Sequence, residues 1–321
     1  MRRFKNILLL ADGDRWQDSA LLRAVSLAEH NQADLTLISP MSIPDSICHP
    51  SDMDCRRLIH YILDDRQDQL EEAIVNISPD LGIKVRVIEG RVFPEIIHEV
   101  LQNGYDLVMK CAETGNFLYD RIFGSADMHL LRKCPCPVWI MHSSEKEKYK
   151  RIFAAVDVEN ENNDETVNGL NKLILEISSS LALSEFAELH IVHAWTAWGE
   201  SFLNTPRFRL AESGEIAGWV EERRVADEEK MEHLMTKLTE TISRETIDYI
   251  KPQLHIVKGD VHTVIRNLVQ GQQGDLLVMG TVVRTGIPGV IMGNTAENIL
   301  NSIDCSVLAV KPPGFITPLT L

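Results

Sequence analysis

Short apolar runs separated by longer amphipathic stretches recur along the whole chain. The runs are apolar at consecutive positions, which is typical of parallel strands covered on both faces. The stretches between them carry apolar residues three to four positions apart, the spacing of a helix. Strands are predicted at 7–11, 35–39, 84–89, 107–111, 138–141, 152–156, 189–193, 253–258, 276–280 and 307–310, and helices at stretches that include 19–31, 58–76, 94–102 and 296–302.

The second half of this pattern repeats the first. An aromatic residue, a lysine, a polar residue and five apolar residues precede Asp12, and the same pattern precedes Asp157, 145 residues later. Further on the offset is 169, as in Gly90/Gly259, Asp106/Asp275, Gly124/Gly293 and Cys136/Cys305. We interpret the chain as a tandem duplication. Its predicted domains are 1–142 and 149–312, with a tail at 313–321 and 24 extra residues in the second copy.

Strands that alternate with helices predict an α/β fold, with two tandem five-stranded parallel sheets and helices on both faces. Ligands of such folds bind at the carboxyl ends of the strands. Asp12 and Asp157 each end the first strand of a copy, so we expect both at that edge. In the second copy, the fourth strand ends at Gly280 and a helix opens at 293–295. The free N–H groups of a helix start suit a phosphate.

Charge and cysteine content exclude several classes of function. The chain has 32 Lys and Arg against 47 Asp and Glu, a formal charge of −15. Such an acidic surface repels nucleic acid and anionic lipid heads. No apolar run reaches the roughly 18–20 residues of a membrane span. Six cysteines in 321 residues are too few for a disulfide scaffold, so a reducing cytoplasm is expected.

Both copies resemble the universal stress protein family, and the whole chain is similar to its tandem two-domain bacterial members. The resemblance covers 3–142 and 149–312. It rests on the repeat and on the pattern Gly, two residues, Gly, nine residues, Gly, then Ser or Thr, with an Asp ending the first strand. It implies strand order 3-2-1-4-5, ATP binding or a stress response, and an intramolecular pseudo-dimer through the fifth strands. Whether two chains associate further is left open.

The pattern is incomplete in both copies. In the second copy, Val283 replaces a glycine and puts a branched side chain where phosphate oxygens would lie. The candidate nucleotide-binding residues there are Asp157, Gly280, Arg284, Gly293, Asn294 and Thr295. In the first copy Cys111 and Thr114 replace both glycines, while Asp12, Gly124 and Ser125 remain. We expect no nucleotide in the first copy. For the second copy, ATP binding and a lost site are both open.

The 24 extra residues of the second copy start where its second strand ends, at the ligand edge of the sheet, and the segment there is rich in aromatic residues. Two interpretations stay open: packing against the core, the other domain or a partner subunit, or a pocket for an apolar, lipid-like ligand. The aromatic residues concerned are Trp195, Trp198, Phe202, Phe208 and Trp219.

Three further features are interpreted as structural. The spacing of Cys48, His49, Cys55 and His60 differs from the usual close pairs of zinc ligands, so no metal is expected. Cys134, Cys136 and Cys305 are expected to be small buried apolar residues. The charge-mixed segment 221–230 is expected to lie on a solvated helix face.

No catalytic residue can be assigned, because neither a Walker A loop nor a Gly-x-Ser-x-Gly elbow is present. The sequence favours a ligand-responsive regulatory module without catalysis. The alternatives are slow ATP hydrolysis in the second copy and an interaction scaffold with neither site filled.

Overall fold

The computed structural model describes residues 4–12, 18–43, 53–77, 81–112, 123–142, 148–159, 165–197, 213–281 and 292–319. Within these ranges strands and helices alternate, and the predicted α/β class is confirmed. The first copy contains β1 (Asn6–Leu10), α1 (Asp18–Asn31), β2 (Asp34–Met41), α2 (Met53–Ile77), β3 (Lys84–Glu89), α3 (Val92–Asn103), β4 (Leu107–Cys111), α4 (Ser125–Lys133) and β5 (Val138–Met141).

The second copy follows with the same alternation. It contains β6 (Arg151–Ala155), α5 (Glu165–Glu185), β7 (Glu188–Trp195), α6 (Ser213–Thr241), α7 (Arg244–Ile250), β8 (Gln253–Lys258), α8 (Val261–Gly271), β9 (Leu276–Gly280), α9 (Asn294–Leu300) and β10 (Ser306–Val310). All ten predicted strands are present, each within two residues of its predicted bounds. The periodicity placed the start of α2 five residues too late.

The described residues belong to two compact units. The N-terminal unit comprises Arg3–Lys148, Thr281–Gly293 and Leu300–Leu321. Its strand order is β3-β2-β1-β4-β5-β10. Strands β1 to β5 pair in parallel, whereas β10 pairs antiparallel with β5, with Leu308 opposite Trp139. The fifth strand of the second copy therefore lies beside the fifth strand of the first.

The C-terminal unit comprises Tyr149–Gly280 and Asn294–Ile299 among the described residues. Its four strands are all parallel, in the order β8-β7-β6-β9. The central strands β6 and β9 are almost entirely buried apolar residues, as in Ile152, Leu276 and Leu277. Such strands need cover on both faces, which α5 and its neighbours supply.

One glycine pair shows how closely the copies share their backbone. Gly90 and Gly259 each follow the third strand of a copy, with φ angles of 143° and 153°. Few residues other than glycine adopt these angles. A Cβ at Gly90 would also lie 2.5 Å from Cγ of Glu95. The repeat therefore preserves a turn that only glycine fits.

No helix in the described part of the chain is both long enough and apolar enough to cross a bilayer.

Candidate functional site

The carboxyl edge of the first copy holds a buried ion pair. Lys110 lies on β4 and Asp127 in the first turn of α4, and their side chains are only 2% and 0% exposed. Lys110 Nζ is 2.9 Å from Oδ1 of Asp127 and 3.5 Å from Oδ2 of Asp12. It also donates to the carbonyl oxygen of Cys111, at 3.1 Å. Three charged side chains thus meet at the end of β1 and β4.

Asp127 supplies an anion to the start of α4. Its Oδ2 accepts a hydrogen bond from the backbone N–H of Gly124, at 3.0 Å. A helix N-terminus carries free N–H groups and partial positive charge, which attract a carboxylate as they attract a phosphate. Lys110 offsets the buried negative charge, which would be costly alone. The chain's own side chains therefore supply the anion and the cation at this helix start.

The sequence-predicted residues of the first copy lie around this pair. Asp12 and Cys111 contact Lys110, and Gly124 contacts Asp127. Ser125 is the first residue of α4 and is exposed. Sequence reasoning missed Lys110 and Asp127 themselves. A lysine within an otherwise apolar strand was the available signal.

The same positions of the second copy are apolar. Met279 and Ala296 stand 169 residues after Lys110 and Asp127, and both are buried. Asp157 follows β6, and its Oδ1 accepts a hydrogen bond from the N–H of Glu159, at 3.0 Å. Its backbone exchanges two hydrogen bonds with the side-chain amide of Asn171 on α5. Asp157 thus shapes the turn after the first strand of this copy.

Gly280 has a packing role. A Cβ added there would lie 2.6 Å from Cδ2 of Leu170 on α5. The glycine therefore lets α5 lie against the end of β9. This reason is independent of any phosphate.

The remaining predicted residues lie near the start of α9. The N–H of Gly293 donates to the carbonyl oxygen of Thr281, at 3.3 Å. Asn294 and Thr295 are exposed in the first turn of α9. Arg284 lies outside the described residues.

A second polar cluster, which sequence reasoning missed, lies in the C-terminal unit. Asp227 on α6 is fully buried, and its Oδ2 lies 3.0 Å from Nε of Arg223 and 3.6 Å from Nε2 of His193. Lys230 Nζ lies 3.4 Å from Oδ1 of Asp227. Arg223 also pairs with Glu159, at 3.0 Å. The cluster therefore ties α6 to the ends of β6 and β7.

This cluster corrects the prediction for 221–230 at one position. A solvated face was expected, and Glu221, Glu222 and Glu229 are exposed, but Asp227 is 0% exposed. Arg223 and Lys230, four residues before and three after Asp227, lie on its side of α6 and are half-buried. Nothing in the sequence of this segment distinguished Asp227 from its other charged residues.

The aromatic candidates divide between the described and undescribed residues. Trp195 ends β7 and is 4% exposed, and its Nε1 has no hydrogen-bond partner within the described ranges. Trp219 on α6 is 39% exposed. Trp198, Phe202 and Phe208 lie outside the described residues.

The comparisons with known proteins agree with this duplicated architecture. The model of the universal stress protein family matches residues 3–142 and again 148–311. The chain belongs to the universal stress protein family. It is 28% identical to Universal stress protein E of Escherichia coli strain K12, over 100% of this chain and 98% of that protein. It is 26% identical to a Universal stress protein E homolog of Haemophilus influenzae, over 97% of this chain and 98% of the relative.

Solved structures share the fold over nearly the full length. A functionally unknown protein of Pseudomonas aeruginosa PAO1 superposes with a TM-score of 0.69 at 26% identity, covering 96% of this chain and 93% of that chain. A universal stress protein of Pseudomonas aeruginosa UCBPP-PA14 gives 0.65 at 26% identity, covering 96% and 94%. This chain is thus a tandem universal stress protein, as its repeat predicted.

The cysteines of this universal stress protein differ in state. Cys55 is disulfide-bonded. Cys111, Cys134, Cys136 and Cys305 are free thiols, and the last three are buried as expected. Cys134 and Cys136 contact each other, which a purely apolar role did not predict.

Proposed function

We propose that this universal stress protein is a non-catalytic, ligand-responsive regulatory module of the stress response whose second copy takes the ligand. The observation that carries the proposal is the buried Lys110–Asp127 pair at the first copy's helix start. Because a carboxylate already accepts the Gly124 N–H there, a bound phosphate would have to displace a paired, buried charge. Met279 and Ala296 bring no such charges to the second copy.

An adenine nucleotide is the ligand that we propose for the second copy. Asp157, Gly280 and Gly293 keep the family-like pattern there, which supports the choice. The Gly293 N–H now donates to Thr281, so phosphate binding would cost that hydrogen bond. We therefore expect binding of modest affinity, serving as a sensor and not as the start of a reaction.

The test is isothermal titration of Mg·ATP into the full chain after removal of co-purified ligands. The two copies offer a matched pair of variants at one repeat position, Gly293→Trp and Gly124→Trp. Gly124 has φ −77° and ψ −178°, a region that any residue adopts. We expect about one nucleotide per chain, lost in Gly293→Trp and retained in Gly124→Trp. The reverse pattern, or no heat at millimolar Mg·ATP, would overturn the proposal, and release of phosphate would show hydrolysis instead.

A second candidate is an apolar ligand, favoured by a cavity between α5 and α6. Its volume is about 180 Å³, and Leu175, Leu234 and Leu238 line it together with Lys172 and Lys237. Pockets for drug-sized ligands usually measure about 300 Å³ or more, so only a short apolar chain would fit. The lysines would suit an acidic head group.

Native mass spectrometry of freshly purified chain tests this candidate. We expect a co-purifying amphiphile in the parent protein and its loss in Leu234→Trp, which fills the cavity. Trp219→Ala, which changes an exposed side chain, is the control. A spectrum of bare protein in the parent sample would count against the apolar ligand.

We also propose a cytoplasmic location for the chain. Cys111, Cys134, Cys136 and Cys305 are reduced, which suits a reducing compartment. The disulfide at Cys55 would then be an exception of the redox-sensing kind that cytosolic proteins contain.

A further inference from the structure

Two thiols lie side by side where α4 ends and the chain turns toward β5. The Sγ atoms of Cys134 and Cys136 are 3.5 Å apart. Cys134 is 0% exposed and Cys136 is 7% exposed. Cys134 also ends the helix, because its N–H donates to the carbonyl oxygen of Leu130 at 3.0 Å. The two sulfur atoms are thus in van der Waals contact, and a disulfide bond of about 2.05 Å needs a small further approach.

A buried amine stands across from these thiols. The antiparallel register of β5 and β10 places Ala309 opposite Val138. Lys311 comes directly after β10, near enough for the charge of Cys134 and Cys136 to act on it. Lys311 is 4% exposed. Its Nζ donates to the carbonyl oxygen of Leu131 and to Oγ1 of Thr281, and lies 5.3 Å from the centre of the Phe315 ring.

Lys311 has no carboxylate partner among the residues that the structure describes. A buried ammonium without a counter-charge is costly, and burial lowers the pKa of Lys311 to about 7. A thiolate at Cys134 or Cys136 would favour the protonated form of Lys311. Near neutral pH, Lys311 is therefore present both as a neutral amine and as an ammonium that can pair with a thiolate.

The two thiols differ in acidity. Burial alone would raise the pKa of Cys134, but hydrogen bonds from the Cys136 thiol and N–H and the charge of Lys311 together hold it below its ordinary value. The hydrogen bond to Cys134 raises the pKa of Cys136 well above its ordinary value, and burial and the charge of Asp106 add to this. Cys134 is thus the better thiolate and Cys136 the proton donor beside it.

We propose that Cys134 and Cys136 form a peroxide-oxidisable dithiol, with Cys134 as the attacking sulfur, Cys136 as the resolving thiol and Lys311 as the positioning residue. The Cys134 thiolate attacks one oxygen of hydrogen peroxide, the O–O bond breaks, and the leaving hydroxide takes a proton to become water. The Cys136 thiol, losing its proton, then attacks the sulfenic sulfur of Cys134 and expels a second water. In sum, two thiols and one peroxide give one disulfide and two waters.

The burial of the two thiols limits which oxidants can reach them. With Cys134 fully covered and Cys136 barely exposed, a bulky disulfide cannot reach the attacking sulfur, whereas hydrogen peroxide is little larger than water. The second copy offers a matched control within the same chain. Cys305 stands at the repeat position of Cys136, but Ile303 stands where Cys134 would be, so a disulfide cannot close between these two positions.

The experiment treats the full chain with hydrogen peroxide, blocks remaining thiols and analyses tryptic peptides by mass spectrometry. Peptide 134–146 carries both thiols and no other cysteine. We expect it to lose the mass of two hydrogen atoms, while the peptide with Cys305 stays alkylated. Oxidised glutathione at equal concentration should react at least about tenfold more slowly. Equal rates for the two oxidants, or oxidation of Cys305 before this pair, would overturn the proposal.

Three variants separate the roles of the side chains. Cys136→Ser should leave a sulfenic acid on Cys134 that dimedone traps, whereas Cys134→Ser should give no trapped product. Lys311→Met should slow disulfide closure about tenfold near neutral pH and move its pH profile upward, the effect of about one unit in thiol pKa. An unchanged rate and profile in Lys311→Met would remove Lys311 from the proposal. Dimedone on Cys136 in Cys134→Ser would reverse the order of attack.

Discussion

The two copies keep one scaffold but differ at the start of their last helix. In the first copy, Lys110 and Asp127 form a buried pair against the N–H of Gly124. In the second copy, the corresponding residues are Met279 and Ala296. The first copy thus has a carboxylate at its helix start, whereas the second copy has no charge at these two positions. The difference shows that two copies of one fold can differ in electrostatics at the same place, because in the first copy a side-chain carboxylate occupies a helix start that would otherwise attract an anion.

The largest expected effect comes from breaking the first-copy pair. Lys110→Met leaves the Asp127 carboxylate buried without its cation, so we expect unfolding to require about 3–5 kcal/mol less free energy. Denaturant titration with two spectroscopic probes measures it. Lys110→Met with Asp127→Ala, which installs the residues of the second copy, should recover most of the loss. A single variant within about 1 kcal/mol of the parent would mean that the pair contributes little.

The buried carboxylate of the second copy comes next. Asp227→Asn keeps the shape but removes the charge that Arg223, Lys230 and His193 face. Hydrogen bonds to charged groups contribute about 1.5–3 kcal/mol, and we expect a loss of about 2–3 kcal/mol in the same titration. Glu229→Gln, an exposed neighbour on α6, is the matched control and should change stability by less than about 0.5 kcal/mol. Equal effects of the two variants would contradict a structural role for the cluster.

A smaller effect tests why glycine stands at Gly280. Gly280→Ala places a Cβ 2.6 Å from Cδ2 of Leu170, the end of a half-buried, flexible side chain that can move aside. We therefore expect a cost of about 1 kcal/mol, the lower end of the range for overpacking. Cys111→Ala changes the same repeat position of the first copy and should be nearly neutral. Thermal unfolding compares the two. Adding Leu170→Val should restore part of the stability of Gly280→Ala, and no restoration would show that the clash is not the cause.

The smallest effect is a pH dependence that arises at a histidine pair of the second copy. His190 Nδ1 and His255 Nε2 are 3.0 Å apart, and Phe153 stacks on His190 with ring centres 4.6 Å apart. Burial lowers the pKa of both histidines. For His190, His255 and Arg151 lower the pKa further, whereas Glu188 raises it. The unfolded chain therefore binds protons first as the pH falls below about 6.5, which destabilises the fold.

The matched variant for this effect comes from the first copy, where Thr36 occupies the strand position of His190. Between pH 7.5 and 5.5 the parent should lose roughly 1 kcal/mol more stability than His190→Thr. Parallel stability curves for the two proteins would refute the assignment.

Much of the fold follows from sequence, and much less of the site does. Consecutive apolar runs and the two offsets located every strand, because parallel strands buried on both faces leave a dense signal. Asp12 and Asp157 were expected just after the first strand of each copy, and they follow β1 and β6. Lys110 and Asp127 were missed because their pairing joins β4 to α4 through tertiary contact, which no local periodicity encodes. Asp227 was misassigned because a charged helix usually faces solvent.

The most direct test of the difference between the copies is hydrogen–deuterium exchange of the full chain with and without saturating Mg·ATP, read by mass spectrometry of peptides from both copies. We expect protection in peptides from 152–159 and 276–300, which contain Asp157, Gly280 and Gly293. We expect no change in the corresponding first-copy peptides from 6–12 and 107–130, where Lys110 and Asp127 already supply the charges. Protection in the first-copy peptides, or in neither set, would contradict this expectation.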